Sequence, residues 1–249
     1  MKIGITGADG LLGFHLRAYL RACTQHEVRL ANRQVFDDPL LLRGFVDGLD
    51  GIVHLAGVNR GSDDVVEQGN VDSARSLVNA LAAVGGRPAV VFANSTHVDR
   101  DTPYGRGKRA AAGLLAGWAA SVDAHFIDLV LPHVFGEFGR PFYNSVVSTF
   151  CHQLAKGLTP EIHVDGDLEL VHAQDVAAHC VQRVVEGVGG QVRIEGAAMK
   201  VSALLARLQS LNDAYRAQVM PDIVKPLDMR LFNTLRSYLF PDFYPVGLQ

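Results

Sequence analysis

Cysteine is scarce. Cys23, Cys151 and Cys180 are odd in number, widely spaced and form no C-x-x-C pair in 249 residues. No disulfide framework follows from them; they read as reduced, partly buried thiols of an intracellular protein. Long apolar runs are missing too, so no segment reaches the roughly 20 residues of a membrane span. Met1 leads directly into an apolar strand, and no targeting peptide is expected. Basic runs are absent and the net charge is −3, which argues against nucleic acid as a partner. No repeat or low-complexity tract is present.

What is present suffices for a large core, since 48% of residues are hydrophobic and only 20% charged. Strands are expected over 1–6, 28–31, 51–55, 89–93 and 126–131, with helices over 11–22, 70–84 and 104–121. Short β-rich runs between amphipathic helices are the pattern of an α/β protein, a Rossmann-type doubly wound parallel sheet covered on both faces. After Pro132 the texture changes. Gly136, Gly139 and Pro141 mark a loop, followed by a helix over 144–156, a turn at 158–160 and short strands around 161–172. Helices over 174–187, 201–218 and 227–239 are expected, with a strand at 191–194. The expected organisation is a core over 1–132 and a small substrate lobe over 133–249, interleaved with the last sheet elements in a single compact unit.

The strand Ile3–Ile5 runs into Thr6-Gly-Ala-Asp-Gly-Leu-Leu-Gly13 and then a helix. Gly7, Gly10 and Gly13 suit a tight turn, a close backbone approach to a pyrophosphate and tight helix–strand packing. The phosphates would rest on the N–H groups opening the helix, which puts Asp9, Leu11 and Leu12 in the same cofactor loop. About 20 residues beyond the last glycine, an NAD site carries an acid for the ribose 2′-hydroxyl. That place holds Asn32-Arg-Gln34, and the first acid afterward is Asp37. A carboxylate would repel a 2′-phosphate, whereas Arg33 can pair with it bidentately, so NADP(H) is favoured over NAD(H). An exposed surface arginine is the other reading. His54-Leu-Ala-Gly57 closes the third strand; Ala56 and Gly57, beside Leu55, let backbone pass the cofactor closely. His54 itself reads as a packed, hydrogen-bonded histidine.

Tyr104 and Lys108 stand four residues apart, hence adjacent on one helix face. A hydride-transfer site needs an acid for the carbonyl oxygen. The Lys108 ammonium and a cationic nicotinamide would bring the phenol down from its ordinary value near 10. Ser95 ends the fourth strand, where ligands sit in a parallel sheet, and can hydrogen-bond the same oxygen. The competing reading is a surface Tyr–Lys pair and a turn serine. His172 and His179 lie seven apart without a completing ligand, so no metal is assigned.

With TGxxGxxG at 6–13, His54-Leu-Ala-Gly57, Ser95 and Tyr104-x-x-x-Lys108, the chain resembles the extended short-chain dehydrogenase/reductases of the NAD-dependent epimerase/dehydratase family. His54-Leu-Ala-Gly-Val-Asn-Arg60, Thr102-Pro-Tyr-Gly105 and Tyr143-Asn-Ser-Val-Val-Ser-Thr-Phe-Cys151 look more closely like the reductase domain of the bifunctional capsular polysaccharide assembling proteins (CapF type). That resemblance implies NADPH-dependent reduction of the C4 keto group of a UDP-linked 6-deoxy amino sugar, a nucleotide-sugar substrate for cytoplasmic synthesis of surface polysaccharide or glycoconjugate precursors. It also implies that Pro132 to Val134 line the nicotinamide and that Asn144 contacts the nucleotide-sugar. Thr96, His97 and His133 would border the sugar, with solvent exposure the alternative for the two histidines. A homodimer through helices of the 104–121 region is expected, where Gly105, Gly107, Gly113 and Gly117 permit close packing.

Two departures stand out. Gly107 replaces the serine usual before the lysine and should loosen the helix start. In the family a metal-binding cupin epimerase domain follows the reductase, whereas this sequence stops at Gln249, soon after Asp242-Phe-Tyr-Pro245. Any epimerisation is then expected from another polypeptide. Related dehydratases carry an acidic pair just after the strand-end hydroxyl residue; Thr96-His97 disfavours that chemistry. Alternatives are an NAD-retaining nucleotide-sugar 4-epimerase, which Arg33 opposes, and a non-catalytic NADP(H)-binding regulator or scaffold.

Overall fold

A computed structural model describes residues 1–243; residues 244–249, which include the end of the predicted lobe and of the Asp242–Pro245 stretch, lie outside the described residues. The chain divides into two compact units. One comprises Met1–Leu131 and Gln174–Ile194, the other Pro132–Ala173 and the residues from Glu195 onward.

The first unit is built on a six-stranded, all-parallel sheet of β1 (Lys2–Thr6), β2 (Glu27–Ala31), β3 (Gly51–His54), β4 (Ala89–Ser95), β5 (Phe126–Leu131) and β8 (Gly190–Arg193). Their order is β2-β1-β3-β4-β5-β8. The winding therefore reverses between β1 and β3, and the crevice at the carboxyl ends of those strands is where such sheets bind ligands. The inner strands β3, β4 and β5 are largely apolar and buried because both faces are covered, whereas the edge strands β2 and β8 carry polar residues. Helices α4 (Asp63–Val84) and α5 (Pro103–Val122) supply buried stripes at helical spacing, Val66, Ala74, Leu77 and Leu81 on one and Ala111, Leu115 and Trp118 on the other. They share a core with Ile52, Val90 and Phe92.

Two short helices, α2 (Arg33–Asp37) and α3 (Pro39–Val46), fill a stretch where no helix is expected from periodicity. Their signal is in the caps. The Asn32 side chain accepts from Val35 N, and the Asp38 side chain accepts from Leu40 N and Leu41 N with Pro39 in the first turn. Helix α7 (Ala173–Glu186) and β8 bring the chain back to the first unit, where β8 pairs with β5 and Val184 packs against Gly51.

In the second unit a three-stranded sheet, β6 (His133–Phe135), β7 (Asp167–His172) and β9 (Ala197–Lys200), accompanies α6 (Val146–Ala155), α8 (Val201–Arg216) and α9 (Pro226–Leu239). Its core gathers Phe135, Val147, Phe150, Leu204, Leu208, Leu231 and Leu235. Among the described residues no helix is long and apolar enough to cross a membrane.

Candidate active site

Helix α1 (Leu11–Cys23) opens at Gly10, which caps it without a side-chain hydrogen bond, and no acid occupies its first turn. Its leading N–H groups lack intrahelical partners and carry the positive end of the helix dipole. Gly7 has φ +67°, and a Cβ there would meet Ala56 N at 2.7 Å and the Leu55 carbonyl carbon at 2.8 Å. At Gly13 a Cβ would press on Gly7 O and Ala8 O, each at 2.5 Å. Gly10 differs, because a Cβ there would meet only Gly7 O at 3.5 Å, an ordinary contact. The protein requires glycine at 7 and 13, while the space at 10 suits a group lying against the turn. A helix start without a side-chain cap, a first turn without an acid and that open face together fit the diphosphate of a dinucleotide.

The same turn is tied to β3 by Thr6. Its Oγ1 accepts from Leu55 N at 3.1 Å and Ala56 N at 3.2 Å, and lies 2.7 Å from His54 Nδ1. With two N–H groups donating to it, the hydroxyl gives its own proton to Nδ1, which places the ring proton on Nε2. The His54 ring is stacked between Phe36 and Phe92, and Nε2 has no partner among the described residues. Burial, then the charge of Lys108, pulls His54 down to about 3. The folded chain therefore stays neutral there while the unfolded chain takes up a proton below about 6.5. Stability present above that value is lost as pH falls toward 3, by roughly 1.5 kcal/mol between pH 6.5 and 5. Urea unfolding at the two pH values checks this; His54→Asn is expected to lose correspondingly less, and an equal loss would exonerate the histidine.

Helix α5 begins with Thr102 as cap, its Oγ1 accepting from Gly105 N at 3.1 Å, and with Pro103 in the first turn. This sets Tyr104 and Lys108 on successive turns at the carboxyl end of β4. Lys108 is buried, its Nζ donating to Ala93 O at 2.7 Å and lying 4.3 Å from the Phe92 ring centre and 5.9 Å from that of Tyr104. Ser95 Oγ accepts from His97 N at 3.3 Å, and the exposed His97 ring meets Tyr104 edge-on at 5.9 Å. Ser95, Thr96, His97, Tyr104 and Lys108 thus cluster at one strand end.

Burial pushes the Tyr104 phenol up to about 12 and draws Lys108 down to about 8, with Asp128 opposing the latter. For the phenol the cause is loss of water around a buried oxyanion, which opposes the lowering expected from Lys108 with a cationic nicotinamide. The glycine at 107 also has another meaning than loosening. A Cβ there would meet Glu67 O at 2.7 Å, so glycine allows α5 to lie close on α4, where Arg106 pairs with Glu67 at 2.7 Å.

Arg33 is the exposed first residue of α2, just past the end of β2. Pro132, His133, Val134 and Asn144 belong to the second unit. His133 and Val134 lie on β6, with His133 Nε2 3.2 Å from Ser145 Oγ; Asn144 is exposed beside Ser145, the cap of α6.

Residues 3–193 match the model of the NAD dependent epimerase/dehydratase family. The chain belongs to that family. As an extended short-chain dehydrogenase/reductase it is 29% identical over 253 residues to the UDP-2-acetamido-2,6-beta-L-arabino-hexul-4-ose reductase of Pseudomonas aeruginosa, across 98% of this chain and 66% of that protein. The chain thus spans just under two thirds of the length of that relative. The crystal structure of capsular polysaccharide assembling protein CapF from Staphylococcus aureus superposes with a TM-score of 0.83 at 26% identity, covering 100% of this chain and 69% of that one. RMD from Pseudomonas aeruginosa, solved with NADPH, shares the fold at a TM-score of 0.81 and 18% identity, covering 96% and 97%.

Three polar residues of the site escaped the sequence reading. Thr6 is one. Asn70 is another, its Nδ2 donating to Val58 O at 2.6 Å and Val66 O at 2.7 Å while Oδ1 accepts from Val58 N. A Cβ on Gly57 would strike Asn70 Oδ1 at 2.8 Å, so the amide fixes the His54–Gly57 turn. Its signal was an amide in phase with the buried stripe of α4. Asp128, a carboxylate inside the apolar run of β5, is the third.

Proposed function

We propose that this protein is an NADPH-dependent reductase of the C4 keto group of a nucleotide-activated 6-deoxy sugar, UDP-linked as in the Pseudomonas reductase it resembles. The observation that carries the reading is the gathering of Ser95, Tyr104 and Lys108 at the carboxyl end of β4, with Lys108 anchored on Ala93 O. The NADPH held by RMD and the charge of Arg33 support the cofactor choice.

When bound, the reduced nicotinamide supplies the hydride. Gly7, Gly10 and Gly13 with Leu11 and Leu12 would hold the diphosphate, Arg33 the 2′-phosphate, and Leu55 to Gly57 would flank the cofactor; Asp9 belongs to the same turn. Ser95 donates a hydrogen bond to the substrate's ketone oxygen and Tyr104 Oη delivers its proton there. The Lys108 ammonium stabilises the phenolate left behind, and Thr96 and His97 border the sugar. The phenol carries its proton at neutral pH, and the Lys108 ammonium and a bound cationic nicotinamide would oppose the burial that raises it. The proposal includes cytoplasmic location and a homodimer through the exposed small residues Ala110, Gly113, Ala116 and Gly117 of α5.

The test is a panel of UDP- and dTDP-linked 4-keto sugars with NADPH. Substrate-dependent loss of NADPH absorbance with formation of the 4-hydroxy sugar is expected. Cofactor carried through purification with no net nicotinamide oxidation would point to the epimerase instead.

A further inference from the structure

Asp128 is out of place in β5. It sits in Phe126-Ile-Asp-Leu-Val-Leu131, is 8% exposed, and a buried carboxylate is costly unless its oxygens are met by donors. Two donors are present, one from each neighbouring strand. Asn94 Nδ2 on β4 donates to Oδ1 at 2.8 Å, and Gln191 Nε2 on β8 donates to Oδ2 at 2.9 Å. Both are neutral amides, and between them each carboxylate oxygen is met by a donor.

The first of these amides leads to the active site. Asn94 Oδ1 accepts from Ser95 N at 2.9 Å, which also fixes the orientation of the amide, oxygen toward Ser95 and nitrogen toward the carboxylate. The register pairs Phe92 with Asp128, so Phe92, Asn94 and Asp128 share one face of the sheet. Lys108 Nζ lies over Phe92 on that face and donates to Ala93 O, the carbonyl just before Asn94.

From this chain of contacts we infer that Asp128 is a positioning residue for the reductase site, holding the backbone of Ser95 through Asn94. The inference rests on the function proposed above. It has two separable consequences, one geometric and one electrostatic. Burial works against the ammonium of Lys108, and the carboxylate is the group that opposes that loss. Without it, Lys108 would give up its proton at lower pH and the phenolate would lose its counter-charge.

Asp128→Asn removes the charge with little change of shape. Asn94→Ala cuts the link to Ser95 and also takes one donor from the carboxylate. The electrostatic arm is read on the whole protein without substrate, as pH-dependent acetylation of Lys108 followed by mass spectrometry. In wild type the midpoint is expected near pH 8, and Asp128→Asn moves it lower. The geometric arm is read with NADPH and a 4-keto nucleotide sugar. Asn94→Ala is expected to lower kcat about tenfold with the KM for NADPH unchanged, short of the about 10²-fold that a 1 Å misplacement costs. A Lys108 midpoint unaltered in Asp128→Asn, or a wild-type kcat in Asn94→Ala, would overturn the corresponding arm. If Asp128→Asn does not fold, Asn94→Ala still decides the geometric arm. A wild-type protein that reduces no sugar would refute the function and still leave the acetylation midpoints to judge Asp128.

Discussion

Tyr104→Phe is expected to lower kcat for ketone reduction by about 10²–10⁴-fold, the usual contribution of a positioned general acid. Affinity for NADPH is expected to stay within a few fold. The reason lies in what the substitution leaves intact. A phenylalanine ring keeps the edge contact with His97 and the neighbourhood of Lys108, and the Thr102 cap and Pro103 still start the helix. Only the hydroxyl goes. Lys108 retains its bond to Ala93 O, so the groups proposed to hold the cofactor are unchanged. Single-turnover kinetics with NADPH bound, alongside calorimetric titration of the cofactor, separates the two effects. Turnover within a few fold of wild type would assign the proton to another donor; a parallel loss of NADPH affinity would make Tyr104 a binding residue instead.

Much of this site was legible because its parts are local. Strand, glycine turn and helix occupy one short stretch from Lys2 onward, and the Tyr104–Lys108 pair needs only the helix that Thr102 and Pro103 start. What escaped depends on pairings between distant residues. Thr6 meets His54 and Asn94 meets Asp128 only once β3 lies beside β1 and β5 beside β4. In the first unit β8 pairs with β5 across 58 residues of intervening chain, a return anticipated as interleaving of the lobe with the last sheet elements but not in its partner strand. Strands β6 and β9, of three and four residues, are too short to show alternation. Neighbouring charge is visible in a YxxxK spacing, but burial is a property of the assembled fold.

The other large effect is expected from Arg33→Asp, which should weaken NADPH by about 10²-fold or more and NADH by no more than a few fold. A charge-assisted hydrogen bond is worth about 1.5–3 kcal/mol, and each 1.4 kcal/mol is about a factor of ten in affinity. Asparagine or leucine at this position would lose that much; aspartate adds repulsion of the 2′-phosphate on top. The position is favourable for such discrimination. Arg33 follows the end of β2 and opens α2, whose start is already capped by Asn32, so its guanidinium is not needed to stabilise the helix. Exposure also fixes how the effect responds to salt. At an open site the charges are screened over a Debye length of about 8–10 Å near physiological ionic strength, so raising the salt should narrow the gap between the two cofactors in wild type and leave NADH binding nearly unchanged. Titrating both cofactors into both proteins at low and high salt gives the answer. Equal losses for NADPH and NADH would remove the 2′-phosphate from Arg33, and with it the main residue-level argument against an NAD-retaining epimerase.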